Sequence, residues 1–186
     1  ADYSIFLALT ASAGVYFISS LLCAGIPSNP GDDSVVMRDA VASFCRDCAI
    51  VLQRPEGIFS LLGTSGFWLA SAVLRLSVFA WIPVTFGIHD NATIGIMIMI
   101  SGVGLICGAV LTPRLVPPGN RSRIIVAGAL MGISLILLPW VTWLQAALLL
   151  QAVCGGFGGI YVIPLNAMLQ RVGEMTVGTG KIIAIQ

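Results

Sequence analysis

The chain has 186 residues, of which 58% are hydrophobic and only 9% charged, with a formal net charge of +1 and a mean hydropathy of +1.00. That composition excludes an ordinary water-soluble domain and provides no basic surface for nucleic acid, so the chain reads as an all-α integral membrane protein. With the net charge so small, the information lies in where the charges fall.

Residues 4–26, SIFLALTASAGVYFISSLLCAGI, are uncharged and exceed the roughly 20 residues a helix needs to cross a bilayer core. Pro27 and the polar PSNPGDD segment close this first span. From residue 33 to residue 54 the charge is mixed, and Met37, Val41, Phe44, Cys48 and Val51 recur at intervals of three and four. This predicts an amphipathic helix too charged to span, lying along the membrane surface or packing beneath the next spans, and ended by Pro55 and Gly57. Cys45 and Cys48 within it form a C-x-x-C pair, but no second ligand pair accompanies them. No metal site is expected, because a structural zinc needs four ligands.

Residues 57–87 form the second span, almost wholly apolar except for Arg75. A central arginine costs about 2.5–3.5 kcal/mol on insertion scales, so it is expected to face a protein interior or a watery cavity. It can serve there as a structural ion pair, as a gating ion pair or as the contact for an anionic substrate group. Thr64, Trp68 and Ser71 precede it at helical spacing and are expected on the same, cavity-facing side, with Leu74 and Val78 turned away.

The polar turn GIHDNAT leads to a third span at residues 94–111, followed by the basic loop TPRLVPPGNRSR. A fourth span runs over 124–141, with Pro139, Trp140 and Trp143 marking its end, and a fifth over 144–169. The segment QRVGEMTVGTGK is then polar, and residues 182–186 begin a sixth helix. Eight of the nine basic residues fall in alternate connections, which puts those connections on the cytoplasmic side; the ninth is Arg75. The pairs Gly104 and Gly108, Gly128 and Gly132, and Gly155 and Gly159 are G-x-x-x-G packing signals on successive spans. The run GGFGGIYVIPLNAMLQ, with Pro164, is expected to be flexible or broken, and its Asn166 and Gln170, four apart, either line one path or cross-link two helices.

Several functions are disfavoured. GTGK near the end lacks the rest of a phosphate-cradling loop, since position 175 is Met, position 182 is Ile, and Thr179 stands where the Gly173–Gly178 spacing would need lysine. No Asp or Glu lies within the spans, and the single histidine, His89, sits in a turn. No enzyme activity and no cofactor are therefore expected, and a carboxylate partner for Arg75 must come from residues outside this sequence. The start at Ala1 and the stop at Gln186 inside an apolar run are those expected of a piece of a longer protein.

The order of a helix, a charged linker and further spans with short loops is similar to the middle of a major facilitator superfamily transporter. Three stretches, FSLLGTSGFWLASAVLRLSVFAWIPVTFGIHDNAT, GGFGGIYVIPLNAMLQRVG and VGTGKIIAIQ, resemble the bacterial lysophospholipid transporter family of that superfamily. The resemblance implies an inner-membrane, multi-pass carrier that moves lysophospholipids such as lysophosphatidylethanolamine inward. An acyltransferase and acyl-carrier-protein synthetase system would re-acylate them there. It also implies a division of the chain. Residues 1–26 would be the last helix of the N-terminal half and 27–56 a cytoplasmic linker. Residues 57–186 would be four full spans and the start of a fifth in the C-terminal half. Arg75 falls on the family's arginine in its seventh helix, a substrate or gating residue. Trp68, Thr64, Ser71 and Asn166 are the further candidates for substrate binding or gating. A facilitator or exporter of another amphipathic small molecule would share this topology.

Overall fold

A computed structural model describes residues 2–25, 37–117 and 119–186, and every regular element among them is helical. The helices are α1 (Asp2–Ala24), α2 (Met37–Leu52), α3 (Pro55–Phe86), α4 (Asn91–Leu115), α5 (Arg121–Leu137), α6 (Leu144–Met175) and α7 (Thr179–Ile185), with a 3₁₀ turn at Leu138–Trp140 after α5. Five segments are long and apolar enough to cross a membrane: Phe6–Ala24, Pro55–Phe86, Asn91–Leu115, Arg121–Trp140 and Leu144–Met175. An all-helical outcome follows from the solvent, because backbone facing lipid must satisfy its hydrogen bonds within its own segment.

The chain divides into two units, Ala1–Ala40 and Val41–Gln186. In the first, α1 is a continuous 23-residue helix whose described side chains are all exposed. In the second, α6 is the central helix, packing most closely on α4 and also on α5, α3 and α7.

Apolar packing follows the length of α6. At the end far from the basic loops, Val78, Ile82, Ile94, Met97 and Leu138 form one cluster. Phe67, Met131, Cys154 and Val162 fill the middle. At the basic end, Val51, Leu169, Val172 and Ile182 form another cluster. Lipid tails are as apolar as leucine, so association inside the bilayer rests on close packing and interhelical hydrogen bonds more than on removal of apolar surface from water. The α4–α6 contact has that character. A Cβ on Gly104 would meet the Ala152 carbonyl, one on Gly108 the Gly156 carbonyl, and one on Gly155 the Ser101 carbonyl. Thr112 Oγ1 spans the same seam, donating to Gly108 O at 2.8 Å in its own helix and reaching Gly159 O at 3.5 Å in α6.

The helix ends are set by identifiable chemistry. Pro55 starts α3 at its first turn, where a missing N–H costs nothing, and Glu56 beside it complements the helix dipole. Gly57 lies so close to the Val51 carbonyl that any side chain there would clash, which permits the tight passage from α2 to α3. α3 continues through Pro83 for one turn and stops at Gly87, whose φ of 65° lets its N–H return to Pro83 O. Asp90 caps α4, its Oδ2 accepting from Thr93 N at 2.9 Å and Thr93 Oγ1 at 2.6 Å. The Thr93 hydroxyl, then its backbone N–H, hold the Asp90 carboxyl below the usual carboxylate range. At the basic end of α4 the Arg123 guanidinium donates to Leu115 O, and Asn120 Oδ1 caps α5 through Arg123 N.

Three expectations are corrected. The GGFGG–Pro164 stretch is neither broken nor loose: α6 runs unbroken for 32 residues, its glycines held against the α4 backbone. The polar segment after residue 169 continues the helix to Met175, because a helix leaving the bilayer needs no apolar residues to persist. It ends where Thr176 N and Gly178 N both donate to Gly173 O. The apolar stripe of α2 is not buried as a stripe. Val41 and Phe44 are exposed, as on a helix lying along a membrane surface, while Val51 in the last turn is fully buried. The buried polar residue on α2 is instead Asp47, held by Lys181 Nζ at 2.8 Å.

That ion pair gives a first prediction. The Asp47 side chain is 9% exposed and that of Lys181 is 56% exposed, whereas Arg121 and Glu56, also paired at 2.7 Å, are both about half exposed. Lys181→Met leaves a nearly buried carboxylate without its counter-charge, with only the Ser43 hydroxyl at 3.5 Å still donating to it, and should cost about 1–2 kcal/mol after allowance for the exposed lysine. Arg121→Met should cost about 0–1 kcal/mol. Thermal unfolding of the two variants in detergent checks this, and equal losses would mean that burial of Asp47 does not decide the strength of the contact.

Candidate functional site

The polar residues of α3 do not share one environment. α3 buries Gly57, Ser60, Thr64, Phe67, Val78 and Ile82, a stripe rotated by a fraction of a turn from the line through Thr64, Trp68, Ser71 and Arg75. The two lines coincide at Thr64 and diverge at Trp68. Trp68 is consequently 58% exposed and packs edge-on to Phe67, with ring centroids 5.4 Å apart. It is therefore not among the side chains buried between these helices. Val78, expected to face away, is 2% exposed in the core, and Leu74 is half-buried. The reason is that α4, α5 and α6 set the buried side of α3, not the polarity of its own residues.

Thr64 faces α6. Its hydroxyl donates to Asn166 Oδ1 at 3.4 Å, and the same oxygen accepts from Gln186 Nε2 at 2.8 Å, so Asn166 links the second span to the end of the chain. Gln170 is exposed, so Asn166 alone makes the cross-link. Ser60, one turn before Thr64, is fully buried with its Oγ unpartnered among the described residues.

Ser71 and Arg75 belong to a different place. Together with Ser101 of α4, Met131 of α5 and Cys154 of α6 they line a chamber of about 80 Å³ among four spans. Ser101 Oγ donates to Ile98 O at 2.7 Å, so towards the chamber it presents acceptor lone pairs. Arg75 is exposed and takes part in neither ion pair found among the described residues, Arg121–Glu56 and Lys181–Asp47. A planar guanidinium with free donors beside hydroxyl groups can hold a phosphate or carboxylate through two parallel hydrogen bonds.

Sequence reasoning missed Ser101 and Gln151. Gln151 is 2% exposed, and its Nε2 has no partner among the described residues. It lies on α6 one turn before Cys154 and Gly155, which line the Arg75 chamber. The available signal was a single amide inside the apolar run LLLQAVC. In the C-x-x-C pair Cys45 is exposed, Cys48 is half-buried, and both are free thiols. Among the described residues no cluster of histidine, cysteine or carboxylate side chains is arranged to hold a metal.

Five apolar segments long enough to span, three of them (α3, α4 and α5) packed on α6 with a cation and hydroxyls lining a chamber among these four, define an all-α, multi-span membrane protein. Over its whole length this chain is similar to curated proteins named lysophospholipid transporter LplT. It is 35% identical to that of Serratia proteamaculans over 189 aligned residues, 33% to that of Photorhabdus laumondii over 188, and 35% to that of Yersinia pestis over 189. The chain spans about half the length of these relatives, 47–48% in each case. No protein-family model matches it, and no solved structure matches it.

Proposed function

We propose that this chain forms part of a lysophospholipid carrier of the major facilitator type in a bacterial inner membrane. It would act as a transporter and not as an enzyme, and would deliver lysolipid to an acyltransferase and acyl-carrier-protein synthetase system for re-acylation. The observation that carries this reading is the chamber lined by Ser71, Arg75 and Ser101 among four spans of a chain similar throughout to proteins of that name. A lysophospholipid has one apolar tail and one phosphate, and a guanidinium carried on an apolar span suits that phosphate. Thr64 and Asn166 act at the basic end, where their hydrogen bond ties α3 to α6 and its making or breaking gates the path. Trp68, exposed on the same helix, faces what packs or passes outside this group of helices. The test is uptake of labelled lysophosphatidylethanolamine by vesicles containing the full chain, normalised to inserted protein. Uptake no faster than in protein-free vesicles would end the proposal.

A further inference from the structure

Beside the Arg75 chamber lies a second one, of about 440 Å³, between α3 and the end of α5. Its walls include Val73, Val78, Trp81 and Leu138, with Ser77 the one hydroxyl side chain among its lining residues. The two chambers share Ala70, Leu74 and Leu135, so they adjoin across a common apolar wall. The larger volume falls within the roughly 300–1,000 Å³ typical of ligand pockets, while the smaller is well below it. The polar chamber admits a compact charged group and leaves the rest of any amphipathic ligand to be accommodated elsewhere.

We propose that the two chambers are one site for a single-chain anionic amphipath. The phosphate meets Arg75, and the acyl chain lies in the slot between α3 and α5, passing Leu74 towards Trp81 and Leu138. This deepens the transport reading above and rests on it for the identity of the head. Trp81 is six residues beyond Arg75, about 9 Å further along α3 and away from the basic loops. The head therefore sits nearer the basic loops than the tail, whose slot is bounded by the half-exposed Val73 at its outer edge. A chain moving from lipid into this slot gains no hydrophobic energy, because both surroundings are apolar. The slot therefore selects by shape, and filling it should exclude a long tail outright.

Val73→Trp fills the slot from its edge. Val73 is 54% exposed, so the larger side chain does not disturb a packed core. In vesicles holding the full chain, the ratio of palmitoyl to butanoyl lysophosphatidylethanolamine uptake should fall roughly tenfold or more relative to the parent protein. Arg75→Lys, which weakens the head contact, should lower uptake of both without changing that ratio. A ratio unchanged in Val73→Trp would overturn the tail assignment. The second measurement needs no transport. Tail-brominated stearoyl lysophosphatidylethanolamine added to the detergent-solubilised chain should quench fluorescence from Trp81, the portion removed by Trp81→Phe, and Val73→Trp should abolish that portion. If the parent protein takes up no lysolipid, the transport reading falls and quenching decides on the slot alone; no quenching of Trp81 overturns it.

Discussion

Arg75→Ala is expected to abolish lysophosphatidylethanolamine uptake, to below about 1% of the parent rate, while the protein still inserts at normal levels. Arg75→Lys should retain part of the activity. The difference follows from chemistry at the chamber. Lysine keeps the positive charge but loses the planar fork that binds two phosphate oxygens at once, whereas alanine leaves an anion without any counter-charge in a low-dielectric setting. A transition state that loses one charge-assisted contact of about 3 kcal/mol slows by a factor on the order of one hundred. Insertion should survive because alanine also removes the cost of placing a cation at this depth. Uptake normalised to inserted protein decides the matter, and wild-type rates in Arg75→Ala would show that the residue is neither ligand nor gate.

Gly108→Ala should destabilise the protein by roughly 1–3 kcal/mol or more, and Gly132→Ala should be neutral or slightly stabilising. Both glycines belong to G-x-x-x-G pairs, yet a Cβ on Gly108 would run into the Gly156 backbone while one on Gly132 would meet nothing within 4 Å. Backbone cannot move aside as a flexible side chain can, so the methyl must push α4 away from α6 along a closely packed seam. Thermal unfolding in detergent, read by the loss of monodisperse protein, distinguishes the two. Equal behaviour would mean that close backbone approach is not what joins these helices.

The spans were readable because the apolar runs far exceed what chance gives a soluble chain, and the basic residues between them fall in alternate connections. What could not be read is what depends on partners. The spacing of Thr64, Trp68, Ser71 and Arg75 places them on one line, but only the positions of α4, α5 and α6 decide that the buried side of α3 runs through Phe67 and Val78 and leaves Trp68 outside. The periodicity of α2 gives an apolar face, yet burial follows Asp47, because Lys181 from the far end of the chain meets it. Ser101 and Gln151 are single polar residues in apolar runs, and nothing local distinguishes a residue lining a chamber from one facing lipid. The caps are the opposite case. Asp90 three residues before Thr93, and Asn120 three before Arg123, are local patterns that mark helix starts.

The contact between Asp47 and Lys181 also sets an order of events during biosynthesis. Asp47 leaves the ribosome before α3, α4, α5 and α6, and Lys181 only after all four. At synthesis rates of about 5–20 residues per second, Asp47 waits several seconds without its partner while those segments enter the bilayer. The last turn of α2 also completes its packing through Ile182, the residue next to Lys181. The charge contact of the segment that precedes the second span is thereby postponed until the segment after the fifth has been made. A ribosome stalled before α7 would carry inserted spans with Val51 able to pack on Leu169 and Val172 but Asp47 still without its counter-charge.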